Sequence, residues 1–289
     1  MATHVPKGFD LLQTLLGSYR EYGVAFKAGD LDFPEGIFWG YHEDGKNISS
    51  RLYERNGERY VIFVGEPHKT GQTEDNIQHI QALCDFAQTH YGLNQVVYRW
   101  GGQHYRPADL LPFIGRRNQN GRTFVATGFS TDGLVYGTLA AMMIADEITG
   151  RSNPYSDLYN PRRFTPIKSA SRFIAENVNV ATVFLKDLPS GADKDSFADI
   201  KVGEGAVINY QGEKIAAYRR EDNELHLNSA VCPHLKCIVN WNNAEKTWDC
   251  PCHGSRFSRD GVVLEGPSWD NLARAKFKDS LPDDIQDRK

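Results

Sequence analysis

Residues 232–237 read CPHLKC and residues 250–255 read CPCHGS. Each stretch offers one cysteine followed closely by one histidine, and each carries a second cysteine. Two thiolates and two imidazoles are the mixed ligand set of one class of [2Fe–2S] cluster. The two stretches therefore predict an iron–sulfur centre and a protein that moves single electrons.

The predicted ligands divide between the two irons of the cluster. Cys232 and Cys250 would hold the iron that is bound only by sulfur, and His234 and His253 would hold the other. Two neutral imidazoles leave the cluster less negative than four thiolates do, so such centres lie at roughly −150 to +300 mV instead of about −400 mV. We expect the two imidazoles at the exposed end of the cluster, where electrons leave it.

Both stretches resemble the cluster-binding boxes of the disulfide-containing class of Rieske proteins. The resemblance implies a bond between Cys237 and Cys252, which would tie two facing loops together. It also implies that the hydroxyl of Ser255 donates to a bridging sulfide and raises the reduction potential. High-potential members carry a tyrosine where this chain has Phe257, so we predict an intermediate potential. Pro267 falls in a segment that resembles the proline loop covering the cluster.

A structural zinc site is the alternative interpretation of the same residues. Zinc binds cysteine and histidine in paired clusters, and C-x-H with C-x-C-H could fill its four positions. Zinc does not account for the match of all six box positions together with Gly254, Ser255 and the downstream Gly266–Pro267. The zinc-bound protein would be colourless, which separates the two interpretations.

The first half of the chain has the pattern of an α+β domain. The fifth cysteine, Cys84, falls beside the apolar face of a predicted helix and is expected to be a buried, inert thiol. Asp44-Gly45 and Asn56-Gly57 are strong hairpin signals, and Gly150 stops the second predicted helix. Predicted strands lie at 37–41, 48–53, 60–64, 95–100 and 123–126, and predicted helices at 74–91 and about 134–148.

A second resemblance appears before the second predicted helix. The segment GFSTDG at residues 128–133 looks like the C-terminal flavin-contacting motif of the D-amino-acid-oxidase-like FAD family, and residues 106–115, 100–102 and 68–72 are similar to other segments of that family. A helix N-terminus aimed at a flavin would stabilise negative charge on it. Taken alone, the same turn is also an ordinary start of a helix. The flavin contacts that the resemblance implies are Gly128, Phe129, Thr131, Asp132 and Gly133.

The dinucleotide-binding part of that family has no counterpart in this sequence. The family holds the FAD pyrophosphate with an N-terminal G-x-G-x-x-G between a strand and a helix, and this chain lacks that motif. The resemblance therefore covers only the latter part of the parent protein. FAD is an implied cofactor that we do not expect this chain to hold tightly by itself. Either the chain is a truncated or split product, or flavin binding was lost.

The predicted organisation is an α+β domain at 1–164, with an antiparallel or mixed sheet, a linker at 165–178 and an all-β Rieske domain at 179–289. Strands are expected there at 206–210, 214–218 and 224–227, with a hairpin signal at Gln211-Gly212-Glu213. The net charge of −4 argues against a nucleic-acid partner. The chain has no run of about 18 apolar residues and no secretory signal, so we expect no membrane span and a cytoplasmic location.

Two functions remain open. In the first, the chain transfers electrons through its cluster and is part of, or derived from, an FAD-dependent oxidoreductase. Once a flavin-binding half is supplied, that enzyme would act on an amine-like or other small substrate. The cluster would then pass electrons singly to a redox partner protein. In the second, the chain is a non-catalytic redox carrier or sensor, and its first domain is a docking platform for a partner chain.

Overall fold

A computed structural model describes residues 4–8, 10–41, 47–163, 177–180, 182 and 196–276. The chain divides into two units, each made of segments that are distant in sequence. The first unit comprises Met1–Ser18, His104–Trp241 and Lys246–Lys289. The second unit comprises Tyr19–Gln103 and Asn242–Glu245.

The second unit is built on a five-stranded sheet. Its strands are β1 (Leu16–Lys27), β2 (Ile37–Tyr41), β3 (Asn47–Arg55), β4 (Glu58–Lys69) and β5 (Val96–Pro107), in the order β2-β3-β4-β1-β5. The pairs β1–β4, β3–β4 and β2–β3 are antiparallel. Strand β1 was not predicted because it lacks the alternation of a half-exposed strand: it lies between two others and is buried almost throughout.

Helix α1 (Ile77–Tyr91) packs against β4 through one apolar face. Ile80, Leu83 and Ala87 are buried, and their spacing of three and four residues places them on one side of the helix. The helix ends at Gly92, whose φ of 69° is the left-handed conformation common after a helix. The predicted helix at 74–91 is thus present and begins three residues later.

A short turn of the β-rich half also belongs to the second unit. The hydroxyl of Tyr22, which is fully buried, accepts a hydrogen bond from the side-chain amide of Asn242 at 3.2 Å. The buried guanidinium of Arg20 lies 2.6 Å from the carboxylate of Glu245. Polar side chains therefore anchor the turn 242–245 in the core of this unit.

The first unit contains a small sheet and the second helix. Strands β6 (Phe113–Arg116) and β7 (Phe124–Thr127) pair antiparallel, and helix α2 (Gly133–Thr149) packs on them. Ile114, Ala126 and Met143 are buried between these elements. The helix ends at Gly150, with φ 72°, as the sequence predicts.

The β-rich half of the first unit forms two antiparallel sheets. The three-stranded sheet contains β8 (Gly205–Tyr210), β9 (Glu213–Arg219) and β10 (Leu225–Ser229), and all three strands were predicted within two residues at either end. The four-stranded sheet contains β11 (Asn240–Asn242), β12 (Thr247–Asp249), β13 (Arg256–Ser258) and β14 (Val263–Glu265). These last strands have three residues each, too few to show a periodic pattern.

Two hairpin signals of the sequence form the expected turns. Asn56 and Gly57, with φ of 54° and 75°, connect β3 to β4, and Gln211 and Gly212, with φ of 53° and 80°, connect β8 to β9. Two positive φ angles in a two-residue loop match the twist of the strands on either side. The Asp44-Gly45 signal lies outside the described residues.

An α+β first half followed by a β-rich second half confirms the predicted fold class. The predicted domain limits at 164 and 179 stay a prediction, and most of the predicted linker lies outside the described residues. Among the described residues, no helix combines the length and apolar character that crossing a membrane requires.

Candidate metal centre

The first box forms a closed loop after β10. The N–H of Cys232 donates to the carbonyl of Cys237 at 2.8 Å, and the N–H of Lys236 donates to the carbonyl of Cys232 at 3.0 Å. Lys236 adopts a φ of 64°, which turns the chain back on itself. His234 lies inside this loop, so the backbone holds it close to Cys232.

The second box forms the same loop between β12 and β13. The N–H of Cys250 donates to the carbonyl of Ser255 at 2.8 Å, and the N–H of Gly254 donates to the carbonyl of Cys250 at 3.1 Å. Gly254 has the positive φ, 75°, at the position that Lys236 occupies in the first loop. The two boxes are therefore two copies of one backbone turn, which their sequences do not reveal.

A disulfide between Cys237 and Cys252 joins the two loops. The Cα atoms are 6.4 Å apart and the two residues are separated by 15 positions. Both half-cystines are buried, 3% and 5% exposed. The structure thus contains the bond that the resemblance implied. Closing a loop of this size stabilises a fold by about 3 kcal/mol in the chain-entropy model.

The other two box cysteines are free thiols that meet each other. Cys232 and Cys250 are buried and hydrogen-bonded to one another, and they stand where two thiolates would bind iron. The hydrogen bond from Cys250 lowers the pKa of Cys232, and the N–H groups of His234 and Leu235 and the hydroxyl of Ser255 lower it further. The same hydrogen bond and burial raise the pKa of Cys250. Several donors thus point at one sulfur, as a thiolate ligand requires.

The two box histidines lie beside the thiols. Their ring centroids are 5.1 Å apart and the rings are nearly perpendicular. Burial lowers the pKa of His234, and burial with a smaller contribution from His234 lowers the pKa of His253 to about 4, so both rings are neutral at pH 7. In the described part of the chain, the Nδ1 atoms of both rings are buried without a hydrogen-bond partner.

Two thiols and two neutral imidazoles with unpartnered nitrogens fit a mixed-ligand [2Fe–2S] cluster. A zinc site is less well supported by the described residues. The only group of three metal-binding side-chain atoms within 4.8 Å there comprises the sulfurs of Cys237, Cys250 and Cys252. Two of these sulfurs are bonded to each other and cannot act as thiolates.

The imidazoles were predicted at an exposed end of the cluster, which the structure contradicts for His253. His253 is only 8% exposed, and His234 is partly buried. The Nε2 atom of His234 donates to the carbonyl of Gly8 at 3.2 Å. Burial arises because the start of the chain covers this side of the site, a long-range contact that no local pattern encodes.

The three predicted tuning residues surround the loops. Ser255 is fully buried, and its Oγ accepts the N–H of Ser268 at 3.0 Å, which leaves its own proton to donate. Phe257 is fully buried in the core that contains the box cysteines. Pro267 follows Gly266 in the proline loop, and the carbonyl of Pro267 accepts a hydrogen bond from the N–H of Gly8 at 2.9 Å. Their effects on a potential stay predictions.

The predicted flavin turn connects β7 to α2. Gly128 has a φ of 77°, and a Cβ atom there would lie 2.6 Å from Pro107. The partly buried Phe129 and the exposed Thr131 and Asp132 follow. Gly133 begins the helix, and a Cβ atom there would meet nothing within 4 Å. The described residues thus supply a helix N-terminus but include no glycine-rich pyrophosphate-binding loop, and they do not fit a complete FAD site.

Comparisons with known proteins find a match for each part of the chain. Residues 194–276 match the Rieske [2Fe-2S] domain, and residues 11–147 match the FAD dependent oxidoreductase family. YhfW of Bacillus subtilis (strain 168), named as a Rieske 2Fe-2S iron-sulfur protein, is 35% identical over 269 residues, 92% of this chain and 52% of the relative.

Two further matches each cover one part of the chain. The cytochrome b6-f complex iron-sulfur subunit of Chlorobaculum tepidum is 32% identical over 81 residues, 28% of this chain and 44% of the relative. The crystal structure of glycine oxidase from Geobacillus kaustophilus is 16% identical with a TM-score of 0.38, and the match covers 52% of this chain and 40% of that one. The chain spans about half the length of the two curated relatives.

Proposed function

We propose that this chain transfers single electrons through a [2Fe–2S] cluster. Residues 194–276 match the Rieske [2Fe-2S] domain that would hold the cluster, and residues 11–147 match the FAD dependent oxidoreductase family. The ligands are Cys232 and Cys250 on one iron and His234 and His253 on the other. The observation that carries the proposal is the donor set itself. Two buried thiols meet beside two neutral imidazoles whose Nδ1 atoms have no hydrogen-bond partner among the described residues.

The protein's part in this function is to hold the ligands and set the potential. A cluster bound by two thiolates and two imidazoles exchanges one electron at roughly −150 to +300 mV. The loops and the disulfide fix the four ligands, and the hydroxyl of Ser255 donates toward the sulfur atoms. Phe257 offers no second hydroxyl, so we propose an intermediate potential within that range.

The cluster is tested on the purified protein after anaerobic reconstitution with iron and sulfide. We expect a reddish-brown protein whose absorption bleaches with dithionite and whose reduced form gives the electron paramagnetic resonance (EPR) signal of a mixed-ligand cluster. Cys232→Ser should prevent cluster formation, while Cys84→Ser, which replaces a free thiol of the other unit, should not. A colourless protein that binds zinc, or equal iron contents in Cys232→Ser and Cys84→Ser, would contradict the proposal.

We propose a flavin-binding half as the partner that would complete an oxidoreductase. The outer side of α2 carries apolar side chains in solvent, with Leu134 92% and Val135 68% exposed. A helix of a globular protein normally buries its apolar side chains. The similar Bacillus subtilis protein is about twice as long as this chain, which leaves room for such a half.

This partner is tested by co-expression with a neighbouring reading frame that encodes G-x-G-x-x-G. We expect a complex that contains FAD, and Leu134→Glu should abolish it. Leu158→Glu is the matched control, because Leu158 is also exposed, 48%, but lies outside α2. Absence of such a frame, with no flavin released on heating, would favour the second candidate, a redox carrier or sensor without catalysis. A cytoplasmic location stays a prediction of the sequence.

A further inference from the structure

The histidine side of the candidate cluster faces the chain's own start. We call residues 4–8 the strap, since they run across this side. The carbonyl of Gly8 accepts the Nε2–H of His234 at 3.2 Å, and the N–H of Gly8 donates to the carbonyl of Pro267 at 2.9 Å. One residue of the strap therefore touches both a proposed ligand and the proline loop.

Contacts along its whole length hold the strap in place. The hydroxyl of Thr127 donates to the carbonyl of His4 at 2.8 Å. The side-chain amide of Gln13 donates to the carbonyls of Pro6 at 2.7 Å and of Gly8 at 2.6 Å. Val5 is 3% exposed in an apolar core of the same unit. The strap is thus packed as part of the fold.

The strap is also fastened to the proline loop. The ammonium of Lys7 lies 5.2 Å from the centre of the Trp269 ring, a cation–π contact. Gly8 has a φ of 73°, and a Cβ atom there would lie 2.7 Å from Nε1 of Trp269. A side chain at this point of the strap would therefore displace the Trp269 ring or the strap itself, and the positive φ favours glycine.

Tyr105 closes the other side of the same surface. Its side chain is 2% exposed, and its hydroxyl lies 3.3 Å from the carbonyl of His253, 3.4 Å from that of Gly254 and 3.1 Å from that of Gly266. One hydroxyl hydrogen is shared among these acceptors. The ring of His4 packs edge-on against Tyr105 at 5.0 Å. The tyrosine thus joins the second cluster loop, the proline loop and the strap.

We infer that the histidine side of the cluster is an internal interface of this chain, and that the strap and Tyr105 exclude protein-sized redox carriers from it. A carrier that docks on a cluster must approach its ligands closely, and here Gly8 and Tyr105 occupy that space. Such a carrier must reach the cluster from another face. This inference rests on the proposed cluster and specifies how a partner can approach it.

Reoxidation of the reduced cluster tests the inference. The reconstituted full-length protein is reduced with dithionite, freed of excess reductant and mixed in a stopped-flow instrument with ferricyanide or with cytochrome c. Each oxidant molecule takes one electron from one reduced cluster, and ferrocyanide or ferrocytochrome c forms. Ferricyanide probes access for a small ion, and cytochrome c probes access for a protein.

Gly8→Ala puts a Cβ atom against the Trp269 ring and should loosen the contact between the strap and the proline loop. We expect it to raise the rate with cytochrome c about tenfold, the effect of lowering a barrier by about 1.4 kcal/mol. The rate with ferricyanide should change much less. Gly203→Ala is the matched control, because Gly203 has a φ of 77° in the same unit and a Cβ atom there would meet nothing within 4 Å. These substitutions leave the net charge unchanged, so the charge of each oxidant cancels in the comparison.

Tyr105→Phe keeps the test decisive if Gly8→Ala does not take up a cluster. This variant removes only the shared hydroxyl and should also accelerate oxidation by cytochrome c, whereas Tyr98→Phe, at an exposed position of the same strand, should not. Rates with cytochrome c that match the wild type in Gly8→Ala and in Tyr105→Phe would overturn the inference. A wild-type protein without cluster absorption would instead contradict the proposed function.

Discussion

Ser255 supplies a hydroxyl whose direction is set by its neighbours. Its oxygen accepts the N–H of Ser268, so its own proton is available to the sulfur of Cys232. We predict that Ser255→Ala lowers the reduction potential of the cluster, because a donor that favours the more negative, reduced state is lost. A redox titration followed by EPR measures the change. Ser50→Ala, a buried serine of the other unit, should leave the potential unchanged.

Phe257 lies at the position where high-potential relatives carry a tyrosine, so this chain lacks a second hydroxyl donor there. Phe257 is fully buried in the core that contains the box cysteines. We predict that Phe257→Tyr raises the potential of the cluster, because the resemblance implies that a tyrosine hydroxyl at this position donates to the cluster. The same titration measures it. Phe197→Tyr adds a hydroxyl in a different apolar core of the unit and serves as the control. A potential that falls, or rises equally in both variants, would contradict the assigned role of this position.

At the scale of single residues, the sequence predicts the donors but not their surroundings. Cysteine and histidine types at fixed spacing carry their chemistry with them, which is why the four proposed ligands could be named. Their burial depends on distant partners: Gly8 lies 226 positions from His234, and Tyr105 lies 148 positions from His253. No local pattern contains such contacts.

The two box loops are identical turns joined by one covalent bond. We predict that Cys237→Ser leaves all four proposed ligands in place but makes the cluster labile, since the loops are then held only by non-covalent contacts. The rate at which the visible absorption decays at moderate temperature measures this, with Cys84→Ser as the control. The double variant Cys237→Ser/Cys252→Ser should behave like the single one. Cluster decay as slow as in the wild type would count against a stabilising role for the disulfide.

The turn between β7 and α2 depends on its first glycine. A left-handed backbone costs alanine roughly 1–2 kcal/mol. We predict that Gly128→Ala destabilises the fold by more than this, because the added Cβ atom would also meet Pro107 at 2.6 Å. Gly150→Ala has nearly the same φ, 72°, with open space, and should show only the backbone cost. Urea unfolding measures both. Equal losses in the two variants would show that the contact with Pro107 yields.

At the scale of helices and strands, predictability follows the length and regularity of the local signal. The hairpins at Asn56-Gly57 and Gln211-Gly212 and both helices have local causes and were found. Strand β1 was missed because its burial is nearly uniform and its polar Arg20 finds its partner, Glu245, 225 positions away. Strands β11 to β14 were missed because three residues form no period.

At the scale of the whole molecule, a buried histidine makes stability depend on pH. Burial lowers the pKa of His104 from 6.5 to about 4, and the charges of Arg106 and His4 contribute less to the same shift. The unfolded chain binds its proton more readily, so this residue reduces stability as the pH falls from 6.5 towards 4, by at most about 3 kcal/mol. Above pH 6.5 it has no such effect.

We therefore predict that His104→Gln flattens the loss of stability between pH 6.5 and pH 4, as measured by urea unfolding at a series of pH values. His90→Gln, at an exposed histidine of α1, is the control and should follow the wild type. An acid response of His104→Gln that matches the wild type would show that other groups cause the loss of stability.

The fold class was predictable because each half has its own periodicity, but the sharing of segments between the units was not.

The order of the segments has a consequence for how the two units depend on each other. The chain passes from one unit to the other four times, after residues 18, 103, 241 and 245. The turn Asn242–Glu245 belongs to the second unit, while the segments on either side of it belong to the first. A break near the expected linker would part the turn 242–245 from Arg20 and Tyr22. A change in the turn 242–245 is therefore expected to be felt in the sheet of the second unit, although the turn lies in the stretch matched by the Rieske domain.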